Sequence, residues 1–300
     1  MYLQSYLSHL LPKHSKPVIA VACAEDEEVL VALDFLSRQN LIEAILVGNQ
    51  KAIIEIIERH TLQLQCKIID CHDPQESTKI AIECVHQKQA DMLMKGNIDT
   101  KTLLKGVLDK HSGLKEDELL SHVSVANLDK RLIIFADGAM NIAPSIHQKQ
   151  ILIDQCCEVA QHLHFATMNV GIICAVEKVS DRMPCTGDAI TLKDYRPKYK
   201  QAVIDGPFAI DNALSRQAAQ TKGITSPIAG EVNILIMPNI EAGNIFYKTL
   251  AFVANKEVAG IIMGAQVPII ITSRADSHMT KINAILLACI CSAHAKKESS

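Results

Sequence analysis

The sequence predicts an α/β protein of two doubly wound lobes with a cleft between them. Three observations lead there. Short β-branched runs alternate with amphipathic stretches along the whole chain, the pattern of repeated βα units that build a parallel sheet. About eleven such runs occur, more than one sheet holds comfortably. The chain has 300 residues, more than a single compact core usually accommodates.

In order, the strand candidates fall at residues 18–23, 44–47, 67–69, 91–94, 121–125, 132–136, 170–175, 202–204, 232–237, 260–263 and 268–272. Most are flanked by Gly, Pro, Asp or Asn, the residues that end strands and open turns. Between them, Leu152, Cys156, Val159 and Leu163 recur at helical spacing, as do Met279, Ile282, Leu286, Cys289 and Ala293. The expected division is a discontinuous first lobe, residues 1–138 with 268–300, and a second lobe, residues 139–267. The last helix is expected to pack back onto the first lobe.

Composition narrows the chemistry. Apolar residues make up 48%, aromatics only 4%, and Trp is absent. The interior is therefore expected to be Ile, Leu, Val and Ala, as in parallel sheets generally. A formal charge of −3 implies no broad basic field and argues against a nucleic-acid partner. A phosphate-bearing ligand would need a local cationic site. The ten cysteines include Cys156 beside Cys157 and Cys289 near Cys291, but no CxxC pair, which argues against a zinc framework. Cys23 and Cys174 lie inside apolar runs and read as small buried hydrophobes in a reducing compartment. The 12 histidines form no HExxH or triad motif, and His122 and His278 read as structural. Residues 1–11 show no basic, apolar leader pattern. No run approaches the ~18 apolar residues of a membrane span, so a cytoplasmic location with no membrane partner is expected.

Ligands of open α/β sheets bind beyond the carboxyl ends of the strands. The junctions there are Lys95, Gly96 and Asn97; Asp137, Gly138 and Asn141; Asp205, Gly206 and Pro207; Pro238, Asn239 and Glu241; and Ser273 with Arg274. Three are more specific. Ser273–Arg274 precedes a helix that Asp276 or Ser277 can cap, and a helix start with an Arg fork suits phosphate. A plain N-cap is the competing role for Asp276. In NIEAGN, residues 239–244, Gly243 permits close approach to the backbone. MKGNIDT, residues 94–100, places Lys95 beside a glycine but is no Walker sequence, and no GxGxxG follows the first strand.

Longer segments carry a family resemblance. MKGNIDTKTLLKGVLDKHSGL, LLSHVSV, FADGAMNIAPSIHQK, IDGPFAIDNALS, KGITSPIAGEVNILIMPNIEAGNIFYKTL and PIIITSRADS stand in this order along the chain. Together they resemble the phosphate acetyl/butyryltransferase family, and the SRADS and FADGAMNIAP forms resemble its butyryltransferase branch. The resemblance implies a fold similar to isocitrate and isopropylmalate dehydrogenases. It implies homo-oligomers built mainly through the second lobe, with the active site in the cleft. It also implies the reaction acyl-CoA plus phosphate giving acyl phosphate plus CoA. Coenzyme A is then a substrate, with no permanent cofactor and no metal, and an acyl (butyrate) kinase is the metabolic partner.

By the same resemblance Arg274 clamps the phosphate and Ser273 contacts the carbonyl oxygen or the thiol. The carboxylate that serves as the proposed base in the acetyltransferase branch is replaced here by Thr280, which leaves Asp276 as the nearest acid. The acetyltransferases carry an Arg at the helix position of Lys105; Lys keeps the charge and loses the fork. The candidate phosphate and CoA contacts are Lys95, Gly96, Asn97, Thr100, Lys105, Asn141, Asp205, Asn239, Gly243 and Asn244. Other expectations are a phosphate acetyltransferase, a non-catalytic acyl-CoA or phosphate-binding protein, and an NAD-dependent dehydrogenase on the same fold.

Overall fold

The computed structural model describes residues 2–11, 16–129, 131–273 and 275–298. The chain begins α1 (Leu3–Leu10), β1 (Val18–Ala22), α2 (Glu27–Arg38), β2 (Glu43–Gly48), α3 (Gln50–Arg59), β3 (Cys66–Asp70), α4 (Pro74–His86), β4 (Met92–Lys95) and α5 (Thr100–Val107). Next come β5 (Ser121–Asn127), β6 (Leu132–Ala136), α6 (Ile146–His162), β7 (Met168–Ile173), α7 (Pro184–Lys193) and β8 (Ala202–Phe208). Then follow α8 (Ile210–Leu214), α9 (Arg216–Thr221), β9 (Ile234–Ile236) and α10 (Ile240–Lys248), which runs into a π-helical turn, Thr249–Val253. The chain finishes with β10 (Val258–Met263), β11 (Ile269–Ile270) and α11 (His278–Glu298). Every expected strand has a counterpart.

Two compact units result: Met1–Leu120 with Ala259–Ser300, and Ser121–Val258. In the first, the strands run β3-β2-β1-β4-β11 in parallel, with β10 antiparallel to β11. In the second, β6-β9-β7-β8 are parallel and β5 is antiparallel to β6. The units therefore join at different places from the expected 138/139 and 267/268. The β5–β6 ladder ties both strands together, and the other edge of β6 takes β9, so both strands belong with the second unit.

Two pairs within these parallel arrangements are antiparallel, β5–β6 and β10–β11. Residues 128–131 link β5 to β6, and residues 264–268 link β10 to β11. Both links are far shorter than the dozen or so residues a parallel crossover needs, so each pair closes as a hairpin. Elsewhere helices supply the crossovers. Asp26, Asn49, Asp73 and Asp99 each accept the N–H three residues into the helix they cap. Ser145 and Gln148 form a reciprocal capping box at α6.

The cores are aliphatic. Ile19, Val21, Met92, Leu93, Ile269 and Ile285 are fully buried in the first unit. α11 packs on α1 and α2, and its residues 281–292 are all buried. In the second unit Phe135 is fully buried beside Leu235 and Phe208. Its ring meets Phe246 edge-on at 5.1 Å and lies 6.4 Å from Tyr247. With aromatics so scarce, this cluster contributes strongly to the second core. Phe135→Ala should destabilise the protein by about 3–5 kcal/mol, read as a lower urea midpoint by circular dichroism.

Candidate functional site

The carboxyl ends of β1, β4 and β11 surround a hollow of about 350 Å³ in the first unit. Its walls include the acidic run Glu25–Glu28, the loop Lys95–Asn97, Thr272, Ser273 and Lys281. The β4 loop is stitched to the end of β1: the Gly96 N–H donates to the Ala22 carbonyl at 2.9 Å and the Asn97 N–H to the Cys23 carbonyl at 2.7 Å. A Cβ on Gly96 would lie 2.1 Å from the Cys23 oxygen, so only glycine permits this approach. Lys95 is half-buried, and its Nζ donates to the Ile98 carbonyl at 2.8 Å and the Gly96 carbonyl at 3.2 Å. The lysine thus holds its own loop while facing the hollow.

Several of the acids beside it are already engaged. Glu25 accepts the Asn49 N–H at 3.2 Å, Asp26 caps α2, and Glu28 pairs with His278 at 2.5 Å. His278 is thus tied to Glu28, a residue of the wall.

Ser273 is exposed at the end of β11. Its N–H donates to the Asp276 carboxylate at 2.7 Å, and the Asp276 N–H donates to its carbonyl at 3.1 Å. The Ser273 hydroxyl oxygen accepts the Ala275 N–H at 3.2 Å, which leaves its O–H free to donate. Ser277 caps α11 by accepting the Thr280 N–H at 3.2 Å. The cap and the turn-closing acid are thus different residues: Ser277 takes the first role and the buried Asp276 the second. Arg274 lies outside the described residues.

Two more predicted positions lie on α5. Thr100 is exposed in its first turn. Lys105 lines a different hollow of about 500 Å³, between α4 and α5, with Thr78, Lys79, Ile82 and Asp109. The structure does not bring Lys105 to the hollow that holds Lys95 and Ser273.

The second unit gathers another group at the ends of β6 and β9. Asp137 is 1% exposed. Its carboxylate accepts the N–H groups of Ala139 at 2.8 Å, Met140 at 2.9 Å and His122 at 3.1 Å, and the Asn141 amide at 2.7 Å. Gly243 fits against this loop so closely that a Cβ there would lie 2.1 Å from the Asp137 carbonyl oxygen. Asn244 donates to the Gly138 carbonyl at 2.9 Å, and Asn239 caps α10 through the Ala242 N–H at 3.0 Å. Asn141, Gly243 and Asn244 thus converge on the 137–138 backbone, with Asn239 at the head of the same helix.

Asp205 stands apart, at β8. Burial opposes its ionisation, but hydrogen bonds from Ser226, Lys193 and the Gly206 N–H outweigh it and hold the carboxyl below the usual range. Its oxygen lies 2.9 Å from the Lys193 ammonium, so this carboxylate is engaged within the protein.

Sequence reasoning passed over two residues. Asp137 was visible as a junction acid, yet nothing marked it as an acceptor of four donors. Lys281 is 2% exposed and lines the first hollow, where charge alone would suggest a surface lysine. Seven of the ten cysteines are buried, and burial pushes the Cys157 thiol up to about 12. Among the described residues no group of three or more His, Cys, Asp or Glu is placed to hold a metal ion.

The profile of the family described as phosphate acetyl/butaryl transferase matches residues 75–289. The chain is 42% identical over 283 residues to the phosphate butyryltransferase of Clostridium beijerinckii, covering 93% of this chain and 94% of that one. It is 39% identical over 295 residues to the phosphate acetyltransferase of Thermotoga maritima, covering 97% and 99%. Among solved structures it is similar to a branched-chain phosphotransacylase from Enterococcus faecalis V583. The TM-score is 0.82 at 27% identity, over 92% of this chain and 99% of that one.

The Asp137 geometry yields a test of its own. Asp137→Ala strands four donors and should cost about 3 kcal/mol or more, seen as a fall in the denaturation midpoint.

Proposed function

Because the chain belongs to the phosphate acetyl/butyryltransferase family, we propose that it catalyses the reversible transfer of a short acyl group between coenzyme A and inorganic phosphate, in the first instance butyryl. The observation that carries the reading to particular residues is the Ser273–Asp276 turn, which presents a serine O–H at the wall of the hollow that Lys95 also lines.

In the direction that consumes acyl phosphate, the CoA thiolate attacks the carbonyl carbon and negative charge gathers on the carbonyl oxygen. The C–O bond to phosphate then breaks, the phosphate leaves with the electron pair, and the thioester remains. Catalysis needs a proton acceptor for the thiol, a donor for the carbonyl oxygen and a cation for the phosphate. Ser273 is assigned the donor role and Arg274 the phosphate clamp. Lys95 adds positive charge at the mouth of β4. Asp276 is the candidate base, and its bond to the Ser273 N–H gives it a turn-closing role as well. Lys105, away from this hollow, is assigned no contact with the reacting phosphate.

A second copy of the chain is the proposed partner in solution, supported by exposed Ile245, Phe252 and Val253 on and just after α10. Light scattering would return the monomer mass if that is wrong. An acyl kinase consuming the acyl phosphate is the proposed metabolic partner. Among the described residues no helix is long and apolar enough to cross a membrane, which supports the proposed cytoplasmic setting.

The primary test is phosphate-dependent release of CoA from a panel of acyl-CoAs, followed with a thiol reagent. A maximum at four carbons supports butyryl transfer, and a maximum at two shifts the assignment to acetyl. No release from folded protein leaves a binding protein. Neighbouring chain lengths should differ only modestly, since each methylene is worth about 1 kcal/mol. Arg274→Ala should reduce turnover by at least about 100-fold without unfolding the protein; near-normal kinetics would remove Arg274 from the mechanism. Asp276→Asn should give a smaller but clear loss of turnover if Asp276 is the base; turnover near wild type would leave it closing the turn.

A further inference from the structure

Lys281 is out of place by every local rule. It lies in the first turn of α11, at the positive end of the helix dipole, where a cation is disfavoured. It is 2% exposed, and burying an ammonium is costly without a close counter-charge. The Glu28 carboxylate is 4.0 Å away and is already held by His278 at 2.5 Å. Lys149, equally buried, shows the usual remedy: its Nζ lies 2.6 Å from Asp188. An apolar side chain would fill the Lys281 site at less cost, so the lysine points to a role outside packing.

Its bonds indicate that role. The Nζ donates to the Asp276 carbonyl at 2.7 Å and the Ser273 carbonyl at 3.4 Å. These carbonyls belong to the turn that carries the Ser273 hydroxyl, and Lys281 lines the same hollow. The turn's own reciprocal bonds between Ser273 and Asp276 fix its internal shape. They do not fix where it stands. Lys281 ties it to a helix buried along residues 281–292, a rigid support of the kind a reacting group needs.

We propose that Lys281 is a positioning residue for acyl transfer: its ammonium pins the carbonyls of Ser273 and Asp276 and so fixes the Ser273 hydroxyl at the wall of the hollow. The inference rests on the reading above that acyl phosphate and thiol react there.

The test compares wild type with Lys281→Met, which keeps the length and removes the donors, and Lys281→Arg, which keeps the charge. Lys281→Met should lose about 100-fold in kcat for phosphate-dependent CoA release, the cost of misplacing a reacting group. The KM for acyl-CoA should stay within about 3-fold, because substrate binding is not what the lysine supplies. Lys281→Arg should recover most of the lost kcat. Amide hydrogen exchange at Ser273 and Asp276 should quicken in Lys281→Met and leave β1 and β4 unchanged. A kcat near wild type, or unchanged exchange in the turn, overturns the proposal and leaves the lysine a purely structural part.

If Lys281→Met does not fold, Lys281→Gln decides by the same two readouts, since it retains an amide donor of shorter reach. Slower turnover with faster exchange supports the proposal, and wild-type behaviour in both overturns it. Wild-type protein that releases no CoA would count against acyl transfer itself, and the exchange comparison would then judge the lysine separately.

Discussion

Backbone stitched to backbone across neighbouring parallel strands is the constraint on which both polar clusters depend. In the first unit the loop leaving β4 bonds to the end of β1 through Gly96 and Asn97. In the second, the Met237 N–H, just beyond β9, donates to the Ala136 carbonyl at the end of β6 at 2.7 Å. A glycine lies in each region where a Cβ would stand 2.1 Å from the facing carbonyl oxygen: Gly96 against Cys23, and Gly243 against Asp137. Such approaches draw the loops together, so that polar side chains gather at the carboxyl ends of the strands.

Around those contacts the electrostatics are local. The first hollow would look hostile to phosphate if its acidic run were read as free charge. Glu25, Asp26 and Glu28 are instead engaged with a backbone amide, a helix start and a histidine, so each carboxylate is partly answered where it stands. In the second unit Asp137 is answered more fully, by three N–H groups and an amide. Buried charge in this protein is largely charge that organises loops, which is why counting acids against bases says little about which ligand is welcome.

Much of the fold was legible because aliphatic runs of four to seven residues have few alternatives once Gly, Pro and Asn bound them. Strand direction was less so. β6, β10 and β11 are as aliphatic as the parallel strands, and the short links at 128–131 and 264–268 give the hairpins away. Among candidate site residues, those next to a strand end were readable, since topology alone puts Lys95, Asn141, Asn239 and Ser273 near the carboxyl ends of the strands. The placing of Lys105 was not readable: its helix follows the Lys95 loop, and the residue lines the hollow toward α4. Lys281 was hidden for another reason. α11 is buried around its whole circumference over residues 281–292, so no apolar stripe marks an inner face against which a lysine would stand out.

The discontinuous first unit has a consequence for synthesis on the ribosome. The second unit, Ser121–Val258, is one unbroken stretch and can pair its own strands β5 to β9 as it emerges. The first unit cannot: β4 pairs with β11, and β11 and α11 follow the entire second unit in the chain. Until they appear, β4 offers an unpaired edge, and α1 and α2 lack the helix that covers them. The portion made first is therefore finished last, and the Ser273–Asp276 turn takes its place only in that closing step. A stalled or shortened nascent chain would carry a first unit still open at β4, a form exposed to aggregation and to chaperones.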